Sequence, residues 1–228
     1  MKWRWLSATW LMVLAPLCVH AGTAQLTGVA GGDYRVHVAT LQELRFRNTI
    51  HQKYDFSCGS AAVATLLTYQ YDVPTSEQTA FAAMFADGDR VKISKEGFSL
   101  LDIKRFLAAR GFDADGFIAP LSQLAQARLP AIVLITEHGY HHFVVIKGML
   151  AGRVLVGDPA KGTRSIPESQ FANLWTNHLL FVIHNRRNLA IFNSRDDWRA
   201  APMAWLAAGI DHSDLYNIVM PKSGTDGF

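Results

Sequence analysis

Behind a run of small residues, Gly59, Ser60, Ala61 and Ala62, the apolar positions Val63, Leu66, Leu67 and Tyr71 recur at helical spacing. This pattern predicts a helix from Cys58 to Tyr71 with Cys58 at its N-terminus. Pro74 ends it, and Ser76 to Phe85 reads as a second, shorter helix. Ser99 followed three residues later by Asp102 is a capping-box start for a helix from Leu100 to Arg110, stopped by Gly111. Leu121 to Arg128 forms another that ends before Pro130. Upstream, Arg35 to Thr40 is predicted as a strand, Leu44 to Ile50 as a second extended segment, and Tyr54 to Ser57 as a turn.

The period changes in the second half. Ala131 to Thr136, His142 to Lys147, Arg153 to Gly157 and Leu179 to His184 are short β-rich runs divided by Gly139, Gly152 and Asp158-Pro159. Helices followed by an antiparallel sheet is the α+β pattern, with the helices packed on the sheet. From Arg186 the tail holds Trp198, Trp205 and a predicted helix from Arg195 to Ala208. It is too apolar for a free tail and is expected to dock on the domain or on a partner. The aromatic residues Trp175, Trp198 and Trp205 read as packing.

The first 21 residues stand apart. Lys2 and Arg4 precede an apolar run from Leu6 to Val19, and Val19-His20-Ala21 carries the residues a signal peptidase reads. The run contains Pro16 and falls short of the ~20 residues a membrane-spanning helix needs. The expectation is a cleaved signal over residues 1–21, a domain over 22–186 and a C-terminal extension over 187–228, with a periplasmic mature protein lacking a transmembrane segment.

Half of the 228 residues are hydrophobic and 18% are charged, which supplies a core and excludes wholesale disorder. Lys plus Arg total 22 against 19 for Asp plus Glu, with two of the basic residues in the leader. A nearly neutral domain without a basic stripe excludes nucleic acid as the expected partner.

Removal of the leader takes Cys18 with it and leaves Cys58 as the single thiol of an exported chain. Such a thiol is either buried as a small hydrophobe or used. A helix N-terminus and a nearby imidazolium lower a cysteine pKa from about 8.5 into the ~3.5–7.5 range. His142 can supply the imidazole, and Asp158 can hold its tautomer. The amide of Gln52, six residues before Cys58, and the backbone N–H of Cys58 can donate to an oxyanion. Each residue also has a plain reading: Gln52 as a surface residue, Asp158 as the start of a turn, His141 as a rival to His142. His138, His141 and His142 cluster around one turn without a Cys partner, so no metal and no other cofactor is expected. His37, His51, His178, His184 and His212 have no matching companions.

Taken in order, Gln52, Cys58-Gly59, Ala61-Ala62, His142-Phe143-Val144-Val145 and Asp158-Pro159 resemble the papain-like peptidases that remove double-glycine leaders from bacteriocins, family thirty-nine of the cysteine peptidases. The resemblance spans about Arg45 to His184 and favours His142 over His141. It implies a papain-like fold and a thiol peptidase with Cys58, His142, Asp158 and Gln52 as catalytic residues. Ser57 stands where that family often has Asp. A narrower resemblance runs from Leu44 to Ala62 and through Glu96-Gly97-Phe98-Ser99-Leu100. It is to the periplasmic peptidase-like components of functional-amyloid secretion systems. That implies a polypeptide substrate in transit, with amyloid subunits or an outer-membrane pore as partners in biofilm formation. The competing expectations are a peptide-binding accessory protein that does not cut, and a cell-wall amidase or endopeptidase.

Overall fold

The computed structural model describes residues 23–27, 33–37 and 39–201. The chain divides after Thr40 into two units. In the first, β1 (Thr23–Thr27) and β2 (Asp33–His37) form an antiparallel pair with Thr23 opposite His37. The strand expected over Arg35–Thr40 therefore begins and ends earlier.

The second unit opens with α1 (Leu41–Phe46), where an extended segment was expected. None of its residues is buried, so apolar residues at Leu41, Leu44 and Phe46 are no sign of an inward strand face. The turn before Cys58 forms as expected, closed by Ser57 N–H donating to Tyr54 O at 3.0 Å. Next come α2 (Cys58–Thr65) and a π turn over Leu66–Gln70 that continues it. Every residue of α2 is buried, which explains its Gly, Ser and Ala content: only short side chains let a helix run through the middle of a core. The π turn alters the phase of the predicted helix and turns Gln70 inward beside Leu66 and Leu67.

Polar caps start the helices that follow. Ser76 accepts Thr79 N–H ahead of α3 (Glu77–Asp87), and Asp89 accepts Val91 and Lys92 N–H ahead of α4 (Arg90–Glu96). Ser99 and Asp102 form the expected capping box of α5 (Leu100–Ala108). The α4 helix is short, with only Ile93 buried, too little periodicity to show in the sequence.

Six strands make one antiparallel sheet in the order β3 (Ala114–Ile118), β8 (Leu179–Ile183), β4 (Ala131–Glu137), β5 (Tyr140–Leu150), β6 (Arg153–Asp158) and β7 (Gly162–Pro167). The strands β3 and β7 extend the predicted set at its two edges. Strand alternation separates two cores. Ile132, Phe143, Val145 and Phe181 pack on α2, α3 and α5, whereas Val133, Val144, Val154 and Val156 pack on α6 (Leu121–Ala127) and α7 (Glu168–Leu174). The α+β expectation holds, and the second face of the sheet is covered as well.

Residues 190–201 close over this unit. Ile191 N–H donates to Gln70 O at 2.8 Å and Asn193 N–H to Lys147 O at 3.0 Å, ahead of α8 (Arg195–Ala200). The rest of the helix expected to Ala208, together with Trp205, His212 and the signal over 1–21, lies outside the described residues.

Candidate active site

Cys58 begins α2 with 7% of its surface exposed. Three backbone N–H groups are directed at its sulfur: its own, that of Gly59, and that of Phe143 on β5. The first two are helix-terminal amides without an intrahelical acceptor. The third places the thiol one residue from His142. Burial nevertheless outweighs these donors, the Asp158 charge adds to it, and the thiol is pushed up rather than down. The expectation of a pKa depressed by the helix start and a nearby imidazolium is thereby corrected. In a site this enclosed, desolvation of the thiolate is the larger effect.

His142 is 3% exposed and lies on β5 opposite Ile135. Its Nε2 meets Asp158 Oδ2 at 3.1 Å, and its Nδ1 is buried without a hydrogen-bond partner among the described residues. An imidazole engaged on one nitrogen and unengaged on the other has a fixed orientation and a site for one more proton. The Tyr140 ring stacks on it at 5.6 Å between centroids, and Tyr140 Oη donates to Asp55 O at 2.6 Å, joining the strand to the turn before Cys58. His141 points the other way, exposed, with Nδ1 2.8 Å from Thr136 Oγ1. His138 sits in the hairpin turn at φ 52°, so the three histidines do not converge. Among the described residues no group of three His, Cys, Asp or Glu side chains is placed to hold a metal.

Asp158 ends β6 and is fully buried. Its Oδ1 accepts the N–H groups of Ala160 at 2.9 Å and Lys161 at 3.2 Å, so it also starts the turn that its place before Pro159 suggests. Burial alone would raise its pKa. The hydrogen bond and charge of His142, the Arg164 guanidinium and the Ala160 N–H reverse that and hold the carboxyl below its ordinary range.

Gln52 joins the same corner through its backbone, whose N–H donates to Pro159 O at 3.0 Å. Its side-chain Nε2 donates to Tyr54 O at 3.1 Å, and Oε1 is buried without a partner among the described residues. The four residues singled out in the sequence are thus linked by a continuous set of contacts. Gln52 holds Pro159, Asp158 holds His142, and the neighbour of His142 holds the Cys58 sulfur. Sequence reading missed Tyr140, Arg164 and Glu137. Tyr140 had a signal, since it sits two residues before His142 on the same strand face. Arg164 and Glu137 had none, as their contact with each other joins residues 27 apart in the chain.

The peptidase C39 family profile matches residues 47–187. Among curated proteins, the "Probable functional amyloid protease FapD" of Pseudomonas aeruginosa is 38% identical over 175 residues, 76% of each chain. The protein of the same description from Pseudomonas fluorescens is 34% identical over 164 residues, 72% of each. The lactococcin-G-processing and transport ATP-binding protein LagD of Lactococcus lactis is 31% identical over 138 residues, 59% of this chain and 18% of that one. Among solved structures, the peptidase domain of Streptococcus ComA has the same fold, with a TM-score of 0.51 at 20% identity. It covers 60% of this chain and 97% of that domain.

Proposed function

Because the chain belongs to the peptidase C39 family and is a cysteine peptidase, we propose that Cys58 is its nucleophile, His142 its general base and then acid, Asp158 the group that orients the imidazole, and Gln52 an oxyanion donor. The observation that carries this reading is the buried His142 Nε2 to Asp158 Oδ2 contact of 3.1 Å, with Nδ1 left without a partner beside the strand residue that meets the thiol.

Burial disfavours the thiolate of Cys58, and in this reading the thiol is activated by His142 at the moment of attack. Sγ bonds to the scissile carbonyl carbon as His142 Nδ1 takes the thiol proton. The carbonyl π electrons move to oxygen, where the Cys58 backbone N–H and the second N–H of the Gln52 amide receive the charge. Collapse of the adduct breaks the C–N bond, and the leaving amine takes the proton from His142, which leaves a thioester. Water then attacks with His142 again as base, releasing the carboxyl product and restoring the thiol.

The substrate is a polypeptide in transit through the periplasm, and the process served is secretion of functional amyloid for biofilm, with the amyloid subunits as the polypeptide handled. The 38% identity to a protein described as a functional amyloid protease supports this, as does the apolar leader over residues 1–21. No helix among the described residues is long and apolar enough to cross a membrane.

The test uses a strain lacking the native gene, complemented with wild type or Cys58→Ala. Wild type should restore processing and surface amyloid. The variant should reach the periplasmic fraction in equal amount, with Gly22 at its N-terminus, and restore neither. Full rescue by Cys58→Ala would remove the peptidase role from the export process and leave a peptide-binding one.

A further inference from the structure

We propose that Arg164, held in place by Glu137, is a positioning residue for the His142–Asp158 pair and sets the pH range over which Cys58 reacts. The inference rests on the assignment of Cys58 and His142 above. Arg164 stands on β7 opposite Val156 of β6, and Glu137 is the last residue of β4. Arg164 Nη2 lies 2.8 Å from Asp158 Oδ2 and 3.0 Å from Glu137 Oε2, while Nη1 lies 3.5 Å from Glu137 Oε1. The Asp158 oxygen it meets is the one that receives His142 Nε2. Imidazole and guanidinium therefore share a single carboxylate oxygen.

Two consequences follow from that sharing. The first is geometric. With Oδ1 occupied by the Ala160 and Lys161 N–H groups and Oδ2 by Arg164, the carboxylate cannot rotate away from the imidazole. The second is electrostatic. A permanent positive charge lies against the Asp158 oxygen that faces His142 and partly offsets the negative charge the imidazole meets, and Arg164 cannot lose that charge. Glu137 moderates it and is itself gripped by Lys161 at 2.7 Å.

The arrangement is more than a surface ion pair. Asp158 is fully buried, the Arg164 side chain is only 22% exposed, and its Nε is buried without a partner among the described residues. The guanidinium is thus oriented by the two carboxylates and not by full use of its own donors. The other ionisable groups around the pair are Tyr140 stacked on His142, Cys58 on α2, Lys161 in the β6–β7 turn and Arg45 on α1, which lines the same hollow as Lys161 and Arg164. None of these pairs with Asp158 through its side chain; among the described residues, Arg164 and His142 are the basic side chains that do.

The experiment reads the alkylation of Cys58 by iodoacetamide as a function of pH in the folded mature protein, with the adduct located by peptide mass. It therefore needs no knowledge of the natural substrate. Loss of the positive charge in Arg164→Met makes protonation of the pair easier, so the acid limb should move to higher pH by about one unit. Glu137→Gln removes a negative charge and should move the limb to lower pH. Arg164→Lys should restore most of the wild-type profile. A purely structural role would slow the reaction without this opposite pair of shifts. Superimposable profiles for wild type and Arg164→Met, or shifts of the same sign in both variants, would overturn the proposal. Should Arg164→Met not fold, the Glu137→Gln shift decides alone. His142→Ala is the separate control. If its profile equals that of wild type, the Cys58–His142 assignment itself fails. If it differs while the Arg164 and Glu137 variants do not, only the present inference fails.

Discussion

At the scale of the residue, Gln52 is the side chain whose resting contacts say least about its work. One amide N–H goes to Tyr54 O at 3.1 Å, and the proposed oxyanion role would use the second. An interaction made mainly in the transition state lowers turnover when it is lost, with little effect on affinity. Gln52→Ala should therefore reduce kcat on the order of 10² to 10³-fold with a much smaller change in KM. Gln52→Glu should be at least as harmful, because a carboxylate offers no N–H and opposes the negative charge. Alkylation of Cys58, which builds no oxyanion, should proceed in Gln52→Ala at a near wild-type rate. Steady-state kinetics on a cleavable peptide beside alkylation of the same preparations checks both points, and full turnover by Gln52→Ala would end the oxyanion assignment.

At the scale of the element, α2 is the part on which the site depends, since it presents Cys58 and lies wholly inside the core. Its second residue shows how little room there is. A Cβ at Gly59 would lie 2.9 Å from Phe98 Cβ, an atom fixed close to its own backbone, so the clash cannot be relieved by a swing of a flexible side-chain end. On an exposed helix, Gly→Ala is worth about 1 kcal/mol of added stability. Here the sign should reverse. Gly59→Ala is expected to lower the thermal midpoint and to slow turnover by displacing the helix start from β5, measured by thermal denaturation and by kinetics on the same samples. An unchanged or raised midpoint would show that Phe98 yields freely. The Cys-Gly pair was legible in the sequence, but its physical reason was not, because Phe98 arrives from 39 residues away.

At the scale of the whole molecule, the strap over residues 190–201 is held by a buried ion pair. Lys147 Nζ, inside β5, meets Asp197 Oδ1 on α8 and donates to Asn48 O, while Gln70 Nε2 donates to the other Asp197 oxygen at 3.1 Å. One cluster thus ties the strap, the strand that carries His142, the π turn after α2, and the segment leading to Gln52. Removing one partner of such a pair strands a charge and should cost about 3 to 5 kcal/mol. Lys147→Met and Asp197→Leu should each be strongly destabilising, and the double variant should recover part of the loss, since it strands no charge but still leaves Asn48 O and Gln70 Nε2 without the partners they have here. Urea unfolding of the four proteins measures the cycle. Additive losses in the double variant would mean that the two side chains act independently.

Local chemistry decides part of this protein, and the sequence alone was enough for it. Ser99 and Asp102 cap a helix through bonds three residues apart, and the small residues after Cys58 open the helix predicted there. The helices-then-sheet order could be read in the same way, whereas the proposed set of Gln52, Cys58, His142 and Asp158 came from type and spacing together with the family resemblance. Tertiary structure decided what depends on neighbours distant in the chain. Leu41–Phe46 is a helix with no buried residue, and Gln70 and Lys147 turn inward to meet Asp197. The state of the Cys58 thiol was decided at this level too. A helix start lowers a pKa and enclosure raises it, and the degree of enclosure is set by how Phe98, Phe143 and the rest of the core close around α2.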